Sequence, residues 1–221
     1  MTREQFNEIK ERLAKYREIR HLTYENQQAE FLGNAFEKVS EYFKAKDDLE
    51  KVKALCDIAV FCFNAFDLKL GAFSNIKRAS MIHLIDHFTS YFIEHNNKTV
   101  YNNKDEDFEY LLIVEIEILV KNLGFDFYKC MIETIKEIES RTGYYDDELK
   151  KFVNKLCAFN KDEAISNVSK DFGFLGNSII CRLTQEDKNF WFITCKEIET
   201  NLQIDYKVKK IYKADYEGCK L

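Results

Sequence analysis

Residues 31–66 read FLGNAFEKVSEYFKAKDDLEKVKALCDIAVFCFNAF. In the first half Leu32, Phe36, Val39 and Phe43 recur at spacings of three and four, which predicts an amphipathic helix over about 25–46. Asp47 and Asp48 then offer a side-chain oxygen to the free N–H groups that begin a further helix, over about 48–70. From Leu55 to Phe66 that second helix is apolar nearly all round, so it should be buried on more than one side. Gly71 should end it. A short turn between the two makes them antiparallel neighbours.

The same periodicity extends in both directions. Phe6, Ile9, Leu13 and Tyr16 predict a helix over 2–21, with Thr2 and Glu4 able to help cap its start. Further helices are expected over about 74–95, 108–123, 125–141 and 146–159, with Gly124 and Gly143 as breaks and a polar loop at 96–107. The chain has no proline, where average usage of about 5% would give about ten, and only seven glycines. That shortage suits long helices, although the abundance of Lys, Asn, Ile, Phe and Tyr points to an AT-rich genome that would deplete both by codon usage. The expected fold is therefore all-α: a bundle of about seven helices in residues 1–159, with a small mixed appendage at 160–221. In the appendage, residues 178–183, 190–194 and 204–212 are rich in β-branched and aromatic residues and read as short strands, while a helix over 185–201 fits as well.

Composition excludes several classes of function. Hydrophobic residues make up 46% and charged residues 32%, which suits a globular core and not a disordered chain. The net charge is -5 with both signs interspersed, which disfavours nucleic acid as a partner. The small cluster Lys207, Lys209 and Lys210 reads as a solvated face. Seven cysteines without a CxxC pair read as free thiols in a reducing cytosol, and four ligands at zinc spacing are missing. Residues 1–15 are polar and no stretch reaches about 18 uncharged apolar residues, so a cytoplasmic protein that does not enter a membrane is expected.

Chemistry is most plausible on the quoted stretch. Asn34, Glu37 and Glu41 share a narrow helix face opposite the apolar stripe, either as solvated surface or as one wall of a site. Asp57 and Asn64 are nearly the only polar groups between Leu55 and Phe66. A carboxylate there is costly to bury unless it is hydrogen-bonded, paired or bound to a metal. Glu115 lies within an apolar stripe and reads as a paired buried acid or a supplementary ligand. His83 and His87 are four apart, but two histidines do not complete a metal site. No phosphate-binding glycine loop or nucleophile elbow is present.

Two acidic residues on one helix followed by acidic residues on the next resemble the layout of the all-α nucleoside triphosphate pyrophosphatases, which include MazG-like proteins and dimeric dUTPases. The segment MIETIKEIESRTGYYDDELKK at 131–151 and the closing KADY at 213–216 are similar to segments of phage members of that group. The resemblance covers about half the chain, in pieces. It implies a Mg²⁺-dependent homodimer that hydrolyses an NTP or dNTP to a monophosphate and pyrophosphate. Glu37, Glu41 and Asp57 would hold the metal, with Glu41 also activating water. Lys136 and Arg141 would bind phosphate oxygens, and Asn34 and Asn64 the rest of the nucleotide. The family's ExxE becomes Asn34-x-x-Glu37, or the wider pair Glu37 and Glu41. At its ExxD, Asp57 is preceded by Ala54, with Lys53 one residue further back. These departures leave a second reading open: a catalytically inactive helical interaction protein that kept the fold, such as a phage-encoded binder or inhibitor.

Overall fold

The computed structural model describes residues 1–71, 79–96, 108–149, 151–172 and 179–221. It divides into two compact units, Met1–Ile135 with Ala214–Leu221, and Lys136–Lys213. Among the described residues no helix is long and apolar enough to cross a membrane.

The first unit is helical: α1 (Arg3–Arg20), α2 (Tyr24–Lys44), α3 (Asp48–Ala65), α4 (Met81–Asn96), α5 (Phe108–Asn122) and the part of α6 (Phe127–Ser140) up to Ile135. The starts of the first three are fixed by side chains, as their sequences dictate. Thr2 and Thr23 form reciprocal capping boxes with Gln5 and Asn26, and Asp47 accepts from the Glu50 N–H. Helix α3 is the central element and buries 11 of its 18 residues, from Val52 to Ala65. It ends at Ala65, ahead of Gly71, because Phe66 is extended and turns its ring into the core against Phe31. Gly124, at φ 88°, closes α5 in the left-handed conformation open to glycine.

Helices α2 and α3 run antiparallel. Gln28 Nε2, near the start of α2, donates to the Ala65 carbonyl at the end of α3, while Lys38 meets Asp57 near their middles. The stripe of α2 that reaches the core is Phe31, Ala35 and Val39. It is rotated from the one expected, so Phe36 and Phe43 stand 43% and 60% exposed.

The all-α expectation is overturned in the second unit, which contains two sheets. Residues 146–159, expected as the seventh helix, instead supply the last residue of β1 (Gly143–Asp146) and all of β2 (Lys151–Asn154) and β3 (Cys157–Ala158). The physical reason lies in Tyr144, Tyr145, Phe152 and Val153. These β-branched and aromatic residues pair across the β1–β2 hairpin in register Tyr144–Val153 and Tyr145–Phe152. The seventh helix is α7 (Lys161–Phe172), begun by Asn160, whose side chain accepts from the Glu163 N–H. Strands β4 (Ile179–Glu186), β5 (Phe190–Glu197) and β6 (Gln203–Lys210) form the expected β-rich tail, in sheet order β3-β6-β5-β4. The helical alternative over 185–201 is replaced by β5, which shows strict alternation of burial. Trp191, Ile193, Cys195 and Val208 pack with Ala164, Val168 and Phe172 of α7. Cys181 and Cys195 are disulfide-bonded across β4 and β5, so the expectation of free thiols fails for this pair. The remaining five cysteines are in no disulfide.

Candidate functional site

Positions 37, 41 and 57 do come into one neighbourhood, and a lysine lies between them. Lys38 sits three residues before Glu41, so on a helix the two share a face. Its Nζ donates to Glu41 Oε1 at 2.8 Å and lies 3.6 Å from Asp57 Oδ2. The same Asp57 oxygen is 3.4 Å from Lys53 Nζ, one helical turn back along α3. Asp57 is largely buried, with its side chain 14% exposed, and Lys38 is similarly enclosed at 18%. The buried carboxylate that the sequence left unexplained is thus paired with two ammonium groups.

Burial alone would lower the Lys38 pKa. The hydrogen bond that Lys38 donates to Glu41 and the negative charges of Asp57, Glu41 and Glu37 outweigh it and hold the amine above its ordinary range. Lys38 is therefore a cation throughout the physiological range, kept so by the three carboxylates expected to bind a metal. The residues do not fit Mg²⁺ well. That ion requires near-octahedral oxygen ligands at about 2.0–2.1 Å, and here two fixed cations lie beside the central carboxylate. Among the described residues, no three His, Cys, Asp or Glu side chains are grouped to hold a metal ion.

The other expected site residues are dispersed. Asn34 is half-buried on α2. Asn64 is buried, but it lies seven residues beyond Asp57, about 10 Å along the helix axis. It accepts from Arg17 Nη1 at 3.4 Å, alongside the Phe63 carbonyl at 2.7 Å, while Arg17 Nη2 donates to Tyr24 Oη at 3.0 Å. Asn64 therefore serves to bury Arg17. In the second unit, Arg141 pairs with Glu137 at 3.2 Å, and Lys136 is exposed on α6. Glu115 is buried and meets His87 Nδ1 at 2.9 Å, which accounts for the carboxylate in the α5 stripe.

Lys38 is the residue that sequence reasoning passed over. Its signal was spacing: Lys38-x-x-Glu41 is an i, i+3 pair, and a lysine there places a positive charge beside one of the expected ligands. No protein-family model, no curated protein and no solved structure matches this chain.

Proposed function

We propose that this protein acts by binding, as a non-catalytic interaction protein whose acidic helix pair is closed by lysine. One observation carries the reading: Lys38 Nζ lies 2.8 Å from Glu41 and 3.6 Å from Asp57, where the pyrophosphatase reading needs a metal. In the register Asn34-x-x-Glu37 and Ala54-x-x-Asp57, an asparagine and an alanine stand where each motif has a ligand, and Lys38 adds a cation beside them. Ala54 is buried, so that wall of the site is apolar packing. For Mg²⁺ to reach Asp57 it would have to displace two ammonium groups from a shared oxygen, against their own charge.

The surface available for binding in the first unit is the outer side of α2. Phe36 and Phe43 are seven residues apart and share a face; Phe43 is largely exposed, while Phe36 is part-exposed and packs edge-on against the buried Phe88 ring. A second copy of the chain is the occupant this reading assigns to them, since exposed aromatic residues at helical spacing suit a symmetric helix–helix contact. The test is a pyrophosphate-release assay over a panel of NTPs and dNTPs with Mg²⁺, run beside light scattering to determine mass. The expected result is a dimer that releases no pyrophosphate above the uncatalysed rate. Release from any one nucleotide that is lost in Asp57→Ala would establish the hydrolase instead.

A further inference from the structure

The second unit carries a sheet face of a quite different character. Trp191, Ile193, Cys195 and Val208 point to the side covered by α7. Because side chains alternate along a strand, Phe190, Phe192 and Thr194 of β5 point to the opposite side. The register of β6 places Lys209 beside Phe190, Lys207 beside Phe192 and Asp205 beside Thr194. The register of β4 places Arg182 beside Thr194 and Ile180 beside Lys196. Two aromatic rings thus lie at the centre of an open face, with Lys207, Lys209, Arg182 and Lys196 around them. The single carboxylate on these rows, Asp205, accepts a hydrogen bond from the Thr194 hydroxyl.

The details suit a ligand with stacked rings and negative charge. The Phe190 and Phe192 ring centroids are 6.4 Å apart. Lys207 Nζ lies 3.9 Å from the Phe190 centroid and 5.7 Å from that of Phe192, so its exposed ammonium covers the Phe190 ring and has to swing to a phosphate when a base stacks there. Both rings are only partly buried, and Lys207, Lys196 and Arg182 are exposed. Charge also separates between the units. Lys and Arg number 19 against 25 Asp and Glu in the first unit, and 14 against 13 in the second. The first unit is therefore the acidic one, and the second is near neutral, with its Lys207, Lys209, Arg182 and Lys196 gathered on these rows.

We propose that this face binds single-stranded nucleic acid, with bases stacked on Phe190 and Phe192 and phosphates held by Lys207, Lys209, Arg182 and Lys196. Every base offers a ring face to an aromatic side chain, and its flanking phosphates offer charge to lysine, so the combination takes single strands with little sequence preference. A duplex hides its ring faces and is excluded from the stack. This inference stands apart from the reading of the α2–α3 pair and uses none of its residues.

The test is fluorescence anisotropy of labelled oligo-dT and oligo-rU with the full chain, each with its duplex as a control. Both single strands should bind at low salt, and the duplexes more weakly. The log–log dependence of affinity on salt should have a slope of about −2 to −3 for three or four phosphate contacts. Phe190→Ala and Phe192→Ala should each weaken binding at least about fivefold. Trp191, the chain's single tryptophan, lies between them on the covered side, and its emission reports whether a variant has kept its fold. If either does not fold, the surface variant Lys207→Gln with Lys209→Gln decides, with an expected shallower salt slope and weaker binding. Absence of binding at low salt would overturn the proposal. So would binding that is unchanged in folded variants, or that prefers duplex. A preference for rU over dT would assign the face to RNA, and the reverse to DNA.

Discussion

Asp57 and Asn64 look alike in the sequence, as polar positions a heptad apart on an apolar helix, yet they have separate tasks. Asp57 faces α2 and anchors Lys38 and Lys53, while Asn64 faces α1 and helps to bury Arg17. The guanidinium of Arg17 also stacks over Tyr24 at 4.6 Å, so its enclosure combines hydrogen bonds with a ring face. Arg17→Ala would leave Asn64 and the Phe63 carbonyl without this donor. We expect a loss of about 2–4 kcal/mol, measured by urea unfolding. A loss near zero would show that Arg17 contributes little to the junction of α1 and α3. Thiols and lysine set the behaviour at high pH. Burial pushes Cys219 up to about 12 and Cys157 upward, and contact with the Cys56 thiol raises Cys130. Each of these thiols favours the folded state while neutral, and that advantage fades as pH rises beyond the ordinary thiol range. The raised Lys38 amine acts in the same direction. The urea midpoint should therefore stay level from pH 7 to about 9 and fall steadily above it. A midpoint that rises over that upper range would contradict these assignments.

At the scale of elements, the helical pattern was legible where one face was plainly apolar. Helices α1, α2, α5 and α6 lie close to their expected positions because a period near 3.6 and caps such as Thr2 and Gly124 agreed. The three long tail strands were legible from β-branched and aromatic runs. The stretch 143–158 was not. Its acidic turn DDE and its neighbouring lysines resemble a solvated helix, and only the pairing of Tyr145 with Phe152 across the hairpin shows otherwise. Gly143 is part of the reason that pairing works. A Cβ there would run into the Phe152 ring and the Val153 carbonyl oxygen. Gly143→Ala should therefore cost about 1–3 kcal/mol by unfolding and broaden the amide signals of Tyr144 and Val153 in NMR spectra. Unchanged stability and spectra would mean the hairpin is looser than its register implies. The rotated stripe of α2 has a similar lesson. Phe36 and Phe43 satisfied the helical period, but spacing alone could not distinguish them from Phe31 and Ala35 as the residues that reach α3.

At the scale of the molecule, the sequence placed carboxylates together but not the charge that occupies them. Glu37, Glu41 and Asp57 were identified from acidic spacing, whereas Lys38 was hidden because a lysine on a solvated helix is ordinary. It became meaningful only when α3 brought Asp57 to it. The exposed α2 face leads to a prediction about assembly: Phe43→Asp should halve the mass measured by light scattering while leaving the helical circular dichroism intact. A mass unaffected by that change would place the contact elsewhere. The central claim is that an ammonium group holds the place of a metal, and the most direct test is calorimetric titration of Mg²⁺ into the wild-type protein and into Lys38→Glu. The account predicts no heat of binding for the wild type at millimolar Mg²⁺. In Lys38→Glu a fourth carboxylate replaces the cation, and saturable binding should appear at those concentrations. Wild-type binding of Mg²⁺ that disappears in Asp57→Ala would contradict it and return the helix pair to metal chemistry.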